Sequence, residues 1–215
     1  MSMHVHTIPT QTHGRYLVRD GPPERLFLGF HGYAQNAELH MEDLEPIPGI
    51  DAWTVVAIQG LNRFYMGRSI ETSAGWMTRQ DRDLVIADNI NYVRAVVAAL
   101  PPAQTIVVEG FSQGAAMAYR AAASLDRVAG IVILGGDVPP DVDGPLPPLL
   151  IGRGEDDDWY TDEKLKNDLK SLDGRARVET ALFKGRHEWT DAFRSAAGEF
   201  LSRVLTGQYV DESSR

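Results

Sequence analysis

Apolar residues recur along this 215-residue chain in two alternating rhythms. Short continuous runs read as strands buried on both faces: Arg25-Leu-Phe-Leu-Gly-Phe30, Trp53-Thr-Val-Val-Ala-Ile58, Thr105-Ile-Val-Val108, Val128–Leu134, 148–151 and 177–183. Between them the period lengthens. Residues 81–100 place Leu84, Val85, Ile90, Val93, Val96 and Val97 on a helical stripe that Pro101-Pro102 ends. A short helix over Ala37–Leu44 is stopped by Pro46 and Pro48, and further helices are expected after Ser112, over Asp162–Leu172 and over 189–205. Continuous apolar strands alternating with amphipathic helices predict an α/β fold, a mostly parallel sheet covered by helices on both faces.

Three stretches fall outside that rhythm. Residues 4–8 and Arg15–Arg19 look like short strands joined through Gly14, an antiparallel edge hairpin, so residues 1–13 are expected to be flexible or an edge strand. Residues 61–79 show no clear period and are dense in Arg63, Phe64, Tyr65, Met66, Trp76 and Met77, as in a binding loop or lid. The polar end of the chain, 208–215 with Asp211-Glu-Ser-Ser-Arg215, is expected to fray. The length suits one domain spanning 1–215.

Composition narrows the function classes. With 43% hydrophobic and 24% charged residues the chain is an ordinary globular sequence. A net charge of −9 without basic runs argues against nucleic acid or an anionic membrane as partner. No apolar run approaches the roughly 20 residues of a membrane span, and no basic segment followed by an apolar one opens the chain. A cytoplasmic location without stable membrane insertion, as monomer or homodimer, is the expectation. Zero cysteines remove disulfides, thiolate metal sites and a cysteine nucleophile.

The chemistry concentrates at Gly110-Phe-Ser-Gln-Gly114, where a buried run passes into an Ala-rich helix. A G-x-S-x-G pentapeptide in that setting forces its serine onto a sharp strand-to-helix bend, with the hydroxyl projecting above the sheet. Chance supplies the bare pattern in about a tenth of sequences with this composition, so the motif needs partners. A serine hydroxyl requires a neutral imidazole to take its proton. His4, His6 and His13 lie in the N-terminal segment, and His40 reads as a surface residue of the short helix. His187, directly after the last strand and before the last helix, falls at the carboxyl edge of the sheet beside Ser112.

The imidazole in turn needs a carboxylate. Asp156, Asp157 and Asp158 follow strand 148–151, and Asp137 follows Val128–Leu134; spacing alone leaves all four open. Two backbone N–H groups should face the oxyanion, one from Gln113 after the nucleophile and one from Tyr33, after His31-Gly32 at the end of the 25–30 strand. Trp76, Met77, Trp159 and Tyr160 are candidates to line an apolar acyl pocket.

Together, Phe30-His-Gly32, Gly110-Phe-Ser-Gln-Gly114, Gly154-Glu-Asp-Asp157 and His187 resemble the carboxylesterase/phospholipase family of α/β-hydrolases, the group that contains acyl-protein thioesterases. The resemblance runs over nearly the whole chain. It implies the α/β-hydrolase fold with little or no lid. It also selects Asp157 as the acid, because the family's aspartate lies three residues after a glycine in that loop. A Ser112/Asp157/His187 triad with Tyr33 and Gln113 as oxyanion donors follows, requiring no metal and no cofactor. The implied activity is hydrolysis of short- to medium-chain acyl esters, or of acyl-protein or acyl-CoA thioesters. A ligand-binding protein on a hydrolase scaffold is the rival from another class. The chain departs from the family at Ala34-Gln35, Trp159-Tyr160 and Gly185-Arg186, all bordering the pocket, so these positions bear on substrate identity and not on reaction type.

Overall fold

The computed structural model describes residues 2–209. In chain order the strands are β1 (Arg15–Arg19), β2 (Arg25–Phe30), β3 (Thr54–Gln59), β4 (Asn62–Tyr65), β5 (Thr72–Gly75), β6 (Thr105–Phe111), β7 (Val128–Leu134), β8 (Leu149–Gly154) and β9 (Val178–Phe183). The helices are α1 (Ala37–Leu44), α2 (Arg82–Ala99), α3 (Gln113–Ser124), α4 (Asp162–Leu172) and α5 (Asp191–Leu205). Seven strands form one sheet in the order β1-β3-β2-β6-β7-β8-β9, parallel except for the β1–β3 edge pair.

The pleat explains why the strands read as unbroken apolar runs. In β2, Leu26, Leu28 and Phe30 enter a core shared with α2, α3 and α4, whereas Phe27 enters a second core under α1 and α5. β3 divides in the same way, Val56 and Ile58 to one side and Val55 and Ala57 to the other. Each strand therefore buries both faces. The chain leaves β2 toward β3 on one side and returns to β6 on the other, so the order reverses between β2 and β6. In an open α/β sheet a crevice forms beyond the carboxyl ends of the strands at such a point. His31-Gly32-Tyr33 follow β2, and Ser112 follows β6.

Three expectations are corrected. Residues 4–8 form no strand; they are exposed, and β1 pairs antiparallel with β3, Arg15 opposite Gln59 through Arg19 opposite Val55. An isolated hairpin is marginal in water, whereas the edge of a preformed sheet offers β1 a ladder and a covered face. Residues 61–79 are not structureless: β4 and β5 form a two-stranded antiparallel hairpin, Asn62 opposite Gly75 and Tyr65 opposite Thr72. Its weak period reflects a ribbon outside the main sheet with only one side covered. The expected fray from 208 does not extend to Tyr209, whose hydroxyl donates to Glu179 Oε1 at 2.6 Å and accepts from Arg203 Nε at 3.0 Å. Residues 210–215, the rest of that expected tail, lie outside the described residues. Among the described residues no helix is long and apolar enough to cross a membrane.

Candidate active site

The bend between β6 and α3 holds Ser112 at φ 54°, ψ −117°, a conformation L-residues rarely adopt. Such a backbone costs on the order of 1–3 kcal/mol and persists only where its surroundings fix it. Here Ser112 N donates to Leu134 O at 2.8 Å, and the flanking glycines allow the approach. A Cβ on Gly110 would lie 2.4 Å from Gly114 O, and one on Gly114 would lie 1.9 Å from Phe30 O. Both contacts are with backbone, so neither can relax. The small residues are needed for strand β2, strand β6 and helix α3 to meet.

Ser112 Oγ lies 2.8 Å from His187 Nε2, and His187 Nδ1 lies 2.8 Å from Asp157 Oδ2. A carboxylate can only accept, so Nδ1 carries the proton and Nε2 is left to accept from the serine hydroxyl. Asp157 is 5% exposed, and its other oxygen accepts from Trp159 N at 2.8 Å and Tyr160 N at 2.9 Å. The imidazole sits in the turn between β9 and α5 with the Phe111 ring 5.0 Å from it, centroid to centroid. Of the four open carboxylates, only Asp157 reaches His187 among the described residues. Asp158 pairs with Arg186 at 2.7 Å, Asp137 accepts from Lys164 Nζ at 3.1 Å, and Asp156 is exposed.

Gln113 opens α3, where helix geometry leaves its N–H without an intrahelical acceptor. Its side chain holds the neighbouring segment instead, accepting from Trp76 N at 2.7 Å and donating to Met77 O at 3.4 Å. Tyr33 lies on the loop after β2. Gly32 N donates to Gln35 Oε1 at 2.7 Å, Ala34 N to Ala74 O at 2.9 Å and Ala74 N to Gln35 O at 2.7 Å. These bonds pin the loop to β5.

Two of the four expected pocket residues are elsewhere. Trp76 is fully buried, packed against Phe30 and donating its indole N–H to His31 O at 2.9 Å. Tyr160 is 1% exposed and donates its hydroxyl to Asp168 Oδ2 at 2.8 Å. Each aromatic turned inward because the interior offers its polar atom an acceptor. Met77 and Trp159 do border the cavity beside Ser112 and His187, about 320 Å³ in volume. The rest of its wall includes Asp137, one of the candidate acids, and residues the sequence did not single out: Gly135, Gly136, Val138, Pro139 and Pro140, with Arg82 and Lys164. The signal available was the Gly135-Gly136 pair at the carboxyl end of β7. A larger cavity of about 580 Å³ lies between residues 10–14 and α2 and includes none of the candidate site residues.

Two further histidines are interior. His31 donates from Nδ1 to Gly32 O at 2.6 Å and accepts from Gly60 N at 2.9 Å, and burial lowers its pKa to about 4. His40, expected at the surface, is wholly enclosed with Nε2 2.8 Å from Glu109 Oε2. The signal for it was its place on the inward stripe of α1, with Ala37, Met41 and Leu44.

The phospholipase/carboxylesterase family matches residues 79–152, a stretch that includes the Ser112 elbow but neither Asp157 nor His187. No curated protein matches the sequence. Solved structures are similar in fold. The Bacillus cereus carboxylesterase superposes with a TM-score of 0.73 at 14% identity, over 89% of this chain and 94% of its own. Acyl-protein thioesterase 2 of Zea mays gives 0.71 at 16%, over 90% and 100%. A Mesorhizobium loti carboxylesterase gives 0.70 at 18%, over 88% and 94%. The chain has the α/β-hydrolase fold and, through residues 79–152, resembles the phospholipase/carboxylesterase family.

Proposed function

We propose that the protein is a serine hydrolase that cleaves short- to medium-chain carboxylic esters through an acyl-enzyme. The observation that carries this reading is the unbroken chain from Ser112 Oγ through His187 to Asp157, with 2.8 Å at each link. Ser112 attacks the ester carbonyl while His187 Nε2 takes the hydroxyl proton, and Asp157 stabilises the resulting imidazolium. The oxyanion is met by the N–H groups of Tyr33 and Gln113, the latter at the positive end of the α3 dipole. Collapse of the tetrahedral intermediate expels the alcohol, which receives the proton from Nε2. A water then enters, His187 takes its proton, and the acid is released from Ser112.

The 320 Å³ cavity is at the low end of ligand-site volumes, which supports a small acyl group between Met77, Val138 and Trp159. A thioester carbonyl would be attacked by the same groups. Labelling with a fluorophosphonate, followed by peptide mapping, tests the nucleophile. Adduct at Ser112 in the folded protein is expected; a protein that resists the probe while hydrolysing nothing is a binder on a hydrolase scaffold.

A further inference from the structure

Asp168 occupies the inward face of α4 between Leu165 and Leu172, where the helix otherwise presents leucine to the core. It is 8% exposed, and among the described residues no cation lies within ion-pair distance of it. Its two oxygens instead accept from neutral donors. Oδ2 takes the Tyr160 hydroxyl at 2.8 Å, and Oδ1 takes Val138 N at 3.2 Å. A carboxylate so placed is costly, because neither donor repays the loss of water in full. Leucine would fill the space but leave the buried Tyr160 hydroxyl and the Val138 N–H without acceptors, so the reason for the carboxyl lies in the two segments it joins.

What the two bonds join supplies a reason. Tyr160 closes the loop that carries Asp157, and its own N–H donates to Asp157 Oδ1 at 2.9 Å. Val138 belongs to the loop after β7, which walls the cavity and packs directly on the imidazole. A Cβ on Gly135 of that loop would be 2.9 Å from His187 Cε1 and 3.0 Å from Nδ1. One side chain therefore ties together the two loops that hold His187, one through its Asp157 partner and one through van der Waals contact.

We propose that Asp168 is a positioning residue: by bonding Tyr160 and Val138 N at once, it sets the acid loop against the pocket wall and so fixes His187 relative to Ser112. The inference rests on the serine-hydrolase reading above. Effects of this kind on rate are plausible in size, since misplacing a catalytic group by about 1 Å costs on the order of 10²-fold.

The same carboxyl is exposed to pH. Burial chiefly raises its pKa to about 6, with the Tyr160 hydroxyl and Val138 N–H acting in the opposite sense. The groups facing it from neighbouring elements are Tyr160, Tyr119 of α3, Asp137 and, on its own helix, Lys164. Protonation below about pH 6 replaces the charge-assisted bond from the Tyr160 hydroxyl with a weaker neutral one, in which the carboxyl donates, and so loosens the tie.

The test measures kcat and KM for p-nitrophenyl butyrate from about pH 5 to pH 9 in four variants, alongside thermal melting. Asp168→Leu is expected to lower kcat about tenfold or more with KM changed less than about threefold, and to melt below the parent because it leaves the Tyr160 hydroxyl and Val138 N–H without acceptors. Asp168→Asn, whose amide can still accept from Val138 N and donate to the Tyr160 oxygen, should keep most of the kcat at neutral pH and show a shallower acid limb. Tyr160→Phe, which keeps the ring and the bond to Asp157, should reproduce part of the kcat loss even if the leucine variant fails to fold. A folded Asp168→Leu or Tyr160→Phe protein with the parent's kcat and acid limb would overturn the proposal. So would an asparagine variant as impaired as the leucine one. Ser112→Ala separates the two levels: if it stays as active as the parent, the serine reading falls and this inference with it. If it is inactive while the Asp168 variants are unchanged, only the positioning role is lost.

Discussion

His40 and Glu109 meet at 2.8 Å with neither side chain reached by solvent. Glu109 is the residue before the Gly110-Phe-Ser-Gln-Gly114 bend, so the pair lies beneath the proposed nucleophile. Burial holds both groups neutral: it lowers His40 to about 4 and raises Glu109 well above the carboxylate range. The arrangement this favours is a protonated Glu109 donating to His40 Nε2, with the imidazole proton on Nδ1.

Proton counting then gives a pH dependence. Between about 4.5 and 6.5 the unfolded chain carries a charged histidine and an ionised glutamate, the same number of protons as the folded neutral pair, so the pair adds no slope. Above 6.5 the unfolded histidine loses its proton while the folded pair keeps one more, and stability falls as pH rises. Glu109→Gln removes that extra proton. The variant should gain on the parent from pH 6.5 to pH 8. Below 6.5 only its unfolded state binds a proton, so it should lose on the parent, in both ranges by up to about 1.4 kcal/mol per pH unit. His31 contributes equally to both proteins. Urea melts across this range that run parallel for the two would contradict the neutral pair.

Asp157→Asn should lower kcat on the order of 10⁴-fold, since an amide at that site favours the wrong imidazole tautomer. Asp156→Asn, Asp158→Asn and Asp137→Asn should each change it less than about threefold, because none of these side chains meets His187. Initial rates on one ester decide it, and a damaging Asp137 variant would move the acid to the earlier loop.

Gly114→Ala places a methyl 1.9 Å from the Phe30 carbonyl, a backbone atom at the centre of the sheet. The expected cost is at least about 3 kcal/mol, the upper end of ordinary overpacking, read as a lowered urea midpoint. A variant with an unchanged midpoint would mean that β2 and α3 approach less closely than described.

For the acyl pocket, kcat/KM over a chain-length series of matched esters and thioesters should peak at short chains and fall once the 320 Å³ cavity is filled. Met77→Ala, by removing part of the wall, should move the optimum to longer chains. An optimum that ignores position 77 would place the acyl group elsewhere. The ester-to-thioester ratio in the same series identifies which leaving group the site favours.

The repeating strands and helices were legible because a sheet buried on both faces leaves an uninterrupted apolar run, and a helix on such a sheet leaves a stripe. Ser112 and His187 were legible for a related reason: both follow directly from carboxyl ends of parallel strands, and that edge is common to all of them. Asp157 was not separable from Asp156 and Asp158 by position, and only the family resemblance chose it. Trp76 and Tyr160 were misplaced because a loop has no period to tell inward from outward. Their orientation depends on acceptors remote in sequence, His31 O and Asp168. His40 was readable in principle from its spacing to Ala37, Met41 and Leu44, but its partner Glu109 enters from a strand 69 residues away. The Asp168 tie could not be read at all, since it joins three segments that only the fold brings together.

The account turns on Ser112 as the attacking atom. Replacing it with alanine removes the hydroxyl and leaves the cavity, the proposed oxyanion donors and the His187–Asp157 pair in place. Steady-state hydrolysis of p-nitrophenyl butyrate by Ser112→Ala should show kcat reduced by about 10⁶-fold, with melting close to the parent's because alanine keeps the Cβ and the same backbone conformation. A folded variant that retained most of the parent's kcat would contradict the mechanism outright.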